Sequence, residues 1–170
     1  MLKKLLCATV FGAGAMNGSL VFAADDARAA IHITANIPNK QFHVQPRDPE
    51  FGKDEYMYYN PLTYKLTSLR HTFDVKNTEG SVHAYVENGG SGTGTVLLTN
   101  GVDFVPLRVI FNNVPLIDRP REVVDDATST PGTQADMEVI VSNPITSPLS
   151  PGMYNVDFTV IFDAVPRVSL

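Results

Sequence analysis

The chain has 170 residues, with one cysteine, no tryptophan and a formal net charge of −5. An acidic surface repels phosphate backbones and anionic headgroups, which argues against a nucleic-acid-binding or membrane-surface protein. The length allows one domain with a hydrophobic core of useful size.

Residues 1–23 have the pattern of a secretory signal peptide. Lys3 and Lys4 supply the positive start, Leu5–Ala15 is short and mostly apolar, and cleavage after Ala23 or Ala24 fits equally well. The apolar run is too short for a membrane span. Removing 23 residues leaves 147 without a cysteine, so this exported domain depends on packing or on other chains rather than on disulfides. Eleven basic residues remain against 18 acidic ones, a formal net charge of −7.

The first predicted element of the mature chain is a strand, Ile31–Ile37. Ile31, Ile33, Ala35 and Ile37 lie on one side, and the residues between them are polar. This period-two alternation is typical of a half-buried strand. No tight turn follows to pair it with a neighbour. From the residues alone, a first strand of the same domain is the preferred interpretation, and a strand donated to another chain is the alternative.

The rest of the chain, residues 40–170, reads as one all-β sandwich or barrel. Short alternating runs separated by Gly, Pro, Asn and Asp recur, with little helical periodicity. The segment Pro120–Gln134 is polar and is predicted to be a surface loop. The predicted strands are Gln41–Val44, Leu62–Thr67, Leu69–Val75, Ser81–Val86, Thr95–Thr99, Val105–Phe111, Met137–Val141 and Met153–Phe162.

The last predicted strand, Met153–Phe162, has the clearest alternation. Asn155, Asp157 and Thr159 face away from a row of apolar and aromatic side chains. That row is Tyr154, Val156, Phe158, Val160 and Phe162.

No constellation of residues predicts catalysis, a cofactor or a metal. The glycines of Gly89–Val96 lead into a strand and not into a helix, so a hairpin connection is preferred over a phosphate loop. The four histidines, His32, His43, His71 and His83, lack metal-ligand spacing. The acidic clusters Asp48–Glu55 and Asp125–Asp126 are predicted to be solvated surface.

One aromatic cluster has two interpretations. Asp54–Tyr64 contains four of the six tyrosines. Half-buried tyrosine at the edge of a core is the ordinary case, and an exposed cluster that binds sugar or protein is the alternative.

Both ends of the mature chain resemble one protein family. In the major shaft subunits of class 5 alpha-fimbriae, of the colonisation factor antigen I and coli surface antigen type, the mature chain begins with a short stub. An alternating strand ending in proline follows, and the chain closes on a Gly-x-Tyr strand. The matching residues are Ile31, Ile33, Ala35, Ile37 and Pro38 at the start, and Gly152 and Tyr154 at the close. The tail Ala164–Leu170 extends beyond the usual end of the family's chains.

The resemblance implies an immunoglobulin-like β-sandwich that lacks one strand and is completed by donor-strand exchange. Residues 24–39 become the donor extension, with Pro38 ending the strand, and residues 40–170 become the pilin domain. The implied groove-filling residues are Ile31, Ile33, Ala35 and Ile37. The candidate acceptor-groove residues are Tyr154, Val156, Phe158, Val160 and Phe162.

The implied function is the structural major subunit of an adhesive fimbria, exported through the periplasm to the cell surface. The implied partners are identical subunits, a periplasmic chaperone and an outer-membrane usher, with a tip adhesin and a host receptor as further candidates. A minor pilin, or an exported β-sandwich adhesin that binds host glycan or protein, is the alternative function. A small secreted enzyme or inhibitor is the weakest hypothesis. A two-domain tip adhesin does not fit in 147 residues.

Overall fold

The computed structural model describes Ala35 and residues 40–168. The fold below belongs to the unit Ile37–Leu170. Its elements in chain order are β1 (Phe42–Pro46), β2 (Tyr59–Asn60), β3 (Lys65–Leu66), β4 (Leu69–Asn77), β5 (Gly80–Val86), β6 (Val96–Thr99), β7 (Phe104–Phe111), β8 (Val114–Pro115), β9 (Arg121–Val124), α1 (Asp126–Ser129), β10 (Thr133–Val141) and β11 (Val160–Pro166). Among the described residues, no helix has the length and apolar character needed to cross a membrane.

The strands form two main sheets and one small hairpin. The larger sheet has the order β1-β4-β10-β7-β6, with β8 added to β7. The smaller sheet has the order β11-β5-β9, and β2 pairs with β3. Every one of these pairs is antiparallel.

The core lies between the two sheets. Phe162 of the smaller sheet packs across onto Phe111 and Phe73 of the larger one, with ring centroids 4.9 and 6.2 Å apart. The facing strands follow the alternation of their sequences, as in β7, where Val105, Leu107, Val109 and Phe111 are buried. The prediction of an all-β fold is therefore confirmed as a sandwich.

Two predicted segments differ from the structure in the middle of the chain. Pro120–Gln134 is not a loop, because β9, α1 and the start of β10 lie within it. Val123 and Val124 are buried where β9 pairs with β5, and two apolar residues in a polar stretch gave no periodic signal. Leu62–Thr67 contributes only the two residues of β3, paired with the unpredicted β2. β8, also unpredicted, is equally short.

The last strand lies further along the chain than the sequence predicts, so the predicted position is wrong. β11 is Val160–Pro166, not Met153–Phe162, so part of the tail Ala164–Leu170 belongs to the strand. Of the predicted strand's residues before Val160, only Asn155 forms a ladder contact, an isolated bridge to Thr99. Alternation of side chains predicts which way residues face, and it does not establish that a backbone ladder is present.

Candidate functional site: a groove beside the last strand

A cavity of about 1180 Å³ opens at one side of the sandwich. Its floor is the inner face of the larger sheet, with Leu69 and Phe73 of β4, Met137 and Val139 of β10, and Leu107 of β7. Its sides are the segments 51–59 and 149–162. We call this cavity the groove, and we call residues 150–162 its C-terminal wall.

All five candidate acceptor residues lie along the groove. Their side chains are half-buried, whereas the side chains of Met153, Asn155, Asp157 and Thr159 between them are exposed. The five are Tyr154, Val156, Phe158, Val160 and Phe162. The structure thus brings together the residues that the sequence placed on one face, and their role as an acceptor stays a prediction.

The strand β11, whose first residues form part of the C-terminal wall, has a free backbone edge. Glu87 N donates to Thr159 O at 3.0 Å, and Arg167 N donates to Glu79 O at 2.7 Å. In an antiparallel ladder, alternate residues bond to the same neighbour, so the odd-numbered residues of β11 bond to β5. The N–H and C=O groups of Val160, Phe162 and Ala164 therefore point to the opposite edge. Within the described range no strand pairs with that edge.

Burial differs sharply between β11 and its neighbour β5 at the same level of the sheet. Val82, Ala84 and Val86 are completely buried. Their partners in the register are Ala164, Phe162 and Val160 respectively. Phe162 and Val160 are only half-buried, and Ala164 is exposed. Inward-facing positions remain open on β11 because no described residue covers the side away from β5.

Side chains hold the wall where the ladder is absent. Asn88 Nδ2 donates to Asp157 O at 3.1 Å, and Asn88 Oδ1 accepts from Thr159 N at 2.9 Å. Asp103 Oδ2 accepts from Ser150 N at 2.6 Å. Asn88 and Asp103 thus replace the strand neighbours that this part of the chain lacks.

The Asp103 carboxylate also accepts from the Tyr154 hydroxyl at 3.0 Å. The hydrogen bond from the Ser150 backbone, followed by that from Tyr154, holds the pKa of Asp103 below its ordinary value. The pKa of Tyr154 is raised, first by burial and then by its hydrogen bond to Asp103. Both shifts indicate an ionised Asp103 beside a neutral Tyr154 at neutral pH.

The donor residues lie almost entirely outside the described range. Ala35 is exposed. Ile31, Ile33, Ile37 and Pro38 are not among the described residues, so the structure leaves the donor assignment a prediction.

The glycine-rich segment Gly89–Val96 is a compact turn that connects β5 of the smaller sheet to β6 of the larger sheet. The predicted hairpin connection is therefore wrong, because β5 and β6 do not pair with each other. A Cβ at Gly89 would lie 2.6 Å from the Cα of Gly94, and one at Gly94 would lie 2.5 Å from the Cα of Ile117. Gly94 also has a φ of +63°. These glycines allow close packing of backbone against backbone, and the next element after them is the strand β6.

The titratable clusters noted in the sequence have local partners. His71 Nε2 lies 3.1 Å from Glu55 Oε2, and His83 Nε2 lies 3.8 Å from Glu122 Oε2. In the described part of the chain, no three His, Cys, Asp or Glu residues come together as a metal site. Asp125 caps α1 by accepting from Thr128 N at 2.7 Å.

The tyrosine cluster is divided between surface and interior. Tyr56 and Tyr58 are exposed, whereas Tyr59 and Tyr64 are half-buried. Leu149 N donates to the Tyr59 hydroxyl at 3.4 Å. Neither interpretation of the cluster holds for all four residues, and its binding role stays a prediction.

The sequence matches one family model, the CS1 type fimbrial major subunit, over residues 27–163. The chain belongs to this family of fimbrial major subunits. It is therefore a structural subunit of a surface fimbrium and polymerises with identical subunits. The family is one of structural proteins and not of enzymes.

A solved structure agrees in fold. The CooA pilin subunit from enterotoxigenic Escherichia coli is 12% identical, with a TM-score of 0.53. The match covers 74% of this chain and 90% of that one. It supports the immunoglobulin-like sandwich. No curated protein sequence matches the chain.

Proposed function

We propose that this pilin polymerises by donor-strand complementation. The segment Ile31–Ile37 of one copy adds to the free edge of β11 in another copy, and its apolar side chains enter the groove. The observation that carries the proposal is the open edge at Val160, Phe162 and Ala164, next to inward-facing positions that are incompletely buried.

Donor and groove match in chemistry and in periodicity. The donor alternates Ile, Ile, Ala and Ile on one face. On the C-terminal wall of the groove, every second residue is apolar or aromatic and faces inward, and the floor of the groove is apolar. Directly opposed residues of two paired strands lie on the same face of a sheet. The donor's apolar residues are odd-numbered and the inward-facing residues of β11 are even-numbered, so these two sets pair with each other. Those even-numbered residues are the ones with free N–H and C=O groups.

The free energy available is comparable with the net stability of a domain, which is about 5–15 kcal/mol. Burying three isoleucines contributes roughly 5–9 kcal/mol at about 1.5–3 kcal/mol each. Each backbone hydrogen bond adds about 0.5–1.5 kcal/mol net. Because donor and acceptor surfaces differ, the contact is heterologous and does not close, so it extends into a filament.

An unfilled groove with a free edge invites aggregation before assembly. We therefore infer that a periplasmic chaperone covers the groove during export and that an outer-membrane usher exchanges it for the donor strand. A tip adhesin and a host receptor are further partners that the family resemblance implies.

The test is deletion of residues 24–39. The full-length chain is expected to form detergent-resistant polymers on denaturing gels, and the deletion is expected to abolish them. Polymers that persist in the deletion would show that the segment is an ordinary strand or is dispensable.

A point substitution tests the face of the donor strand. Ile33→Asp places a carboxylate in an apolar groove, at a cost of about several kcal/mol. His32→Asp adds the same charge on the opposite face of the strand and serves as the control. We expect loss of polymer with Ile33→Asp alone, and equal effects of the two substitutions would contradict insertion by this face.

A further inference from the structure

Exposed apolar side chains mark one end of the sandwich, where β4 ends and β5 begins. Phe42 lies opposite Asn77, the last residue of β4. Val168 follows Arg167, whose N–H bonds to Glu79 in the turn between β4 and β5. Phe42 is 44% exposed and Val168 is 85% exposed. We call this the β4–β5 end.

A second apolar surface marks the turn between β6 and β7. Val102 and Phe104 are 72% and 61% exposed, and Met153 is 77% exposed. Phe104 lies opposite Thr99, which bridges to Asn155, so Met153 lies beside the same turn. We call this the β6–β7 end.

The two surfaces lie at opposite ends of the larger sheet. The partner of Leu69, the first residue of β4, is Val139 of β10. β7 pairs alongside β10, with Leu107 opposite Val141. The β6–β7 turn therefore lies beyond the start of β4, whereas Phe42 lies beside its end. Large exposed apolar groups at both ends indicate surfaces that are covered in the working assembly.

The length of the chain between the donor strand and the body of its subunit decides what covers these two apolar surfaces. This step rests on the donor-strand mechanism proposed above. From Ile37 to Phe42 there are five residue steps, which span at most about 18 Å. The body that gives a strand must therefore lie close to the point where that strand leaves the groove, and it must present its β4–β5 end there.

The direction of the donor strand selects the end of the acceptor. Every strand pair described is antiparallel, and antiparallel pairing is slightly more stable per residue. β11 begins near the β6–β7 end and finishes opposite Gly80 at the β4–β5 end. A donor that runs antiparallel to β11 therefore leaves the groove near Tyr154, beside Met153.

We propose that the β6–β7 end of one copy binds the β4–β5 end of the copy that donates its strand. Val102, Phe104 and Met153 then pack near Phe42 and Val168 of the neighbour. This body-to-body interface is heterologous, like the donor strand, and it fixes the orientation of each subunit on the next.

The test uses the full-length chain and the half-life of its polymer in detergent. Val102→Asp and Val168→Asp are each expected to shorten the half-life about tenfold, a change of about 1.4 kcal/mol. The double variant Val102→Asp with Val168→Lys places opposite charges across the interface, and we expect most of the lost half-life to return. Both positions are highly exposed, so melting temperatures of the monomers are expected to stay unchanged.

The control is Arg108→Ser, which makes the same one-unit change in net charge at an exposed position on β7. It is expected to leave the half-life unchanged. Unchanged half-lives in the single variants would contradict the proposed interface. A double variant whose polymer has no longer half-life than that of Val102→Asp alone would contradict it as well. Polymers unaffected by Ile33→Asp would instead overturn the donor-strand mechanism, so the two failures are distinguishable.

Discussion

Removing Asn88 should loosen the C-terminal wall of the groove without unfolding the sandwich. Asn88→Ala removes the two side-chain hydrogen bonds that tie Asp157 and Thr159 to the end of β5, and it leaves the backbone bond from Glu87 N to Thr159 O in place. Each bond contributes about 0.5–1.5 kcal/mol net. Because Asn88 is exposed and water replaces part of the loss, we expect about 1–2 kcal/mol in total, or about a tenfold rise in opening of the wall.

Hydrogen–deuterium exchange of the full-length chain measures this change locally. The hydrogen-bonded amides in residues 150–164, such as those of Ser150, Asn155 and Thr159, should exchange about tenfold faster, whereas those of β10 should keep their rates. Asn60→Ala is the matched control, because the Asn60 side chain accepts from Leu62 N and Thr63 N in the β2–β3 turn. Unchanged exchange in residues 150–164, or an equal rise in β10, would refute the idea that Asn88 holds the wall.

Two further predictions concern the core and acid stability. Phe111→Ala should lower the free energy of unfolding by about 3–5 kcal/mol, since Phe111 is fully buried between Phe73 and Phe162. Denaturant unfolding measures it, and a loss below about 1 kcal/mol would contradict the packing. The pKa of Asp103 is lowered from 3.8, so its contribution to stability is present above that value and disappears as the pH falls through the folded-state pKa. Melting temperatures should therefore fall below about pH 4, less steeply in Asp103→Asn than in the unchanged chain, and parallel profiles would exclude a role for this carboxylate.

Periodicity predicted the long strands well, because the face of a strand on which each side chain lies follows from its position in the local sequence. Val105–Phe111 and Leu69–Val75 alternate in sequence and lie within β7 and β4. The short elements could not be found in this way. β9 has only two buried residues, and α1 has four residues whose local signal is the Asp125 cap. Contacts with distant strands decide such elements, and sequence spacing does not carry that information.

The groove was predicted in part. Alternation over Met153–Phe162 identified the five inward-facing residues of its C-terminal wall, but it wrongly implied one continuous ladder. Asn88 and Asp103 were not singled out, because each acts through a contact with a segment more than 45 residues further along the chain. In the sequence, Asn88, Gly89 and Asp103 look like ordinary turn residues. No local signal distinguishes a turn residue from one that also binds a remote backbone.

In the proposed donor-strand mechanism, the anchoring of β11 explains how an open edge can act as an effective acceptor. At its far end, Arg167 donates to the side chains of Asp126 at 2.7 Å and Thr130 at 3.0 Å. At its near end, Asn88 and Asp103 hold the wall. The strand is therefore fixed at both ends while its free side remains open. A strand ordered in advance loses little conformational freedom when a partner pairs with it, so more of the free energy of burial is available to hold the filament together. In the proposed mechanism, the ties at both ends of β11 therefore contribute to assembly as much as the apolar side chains that line the groove.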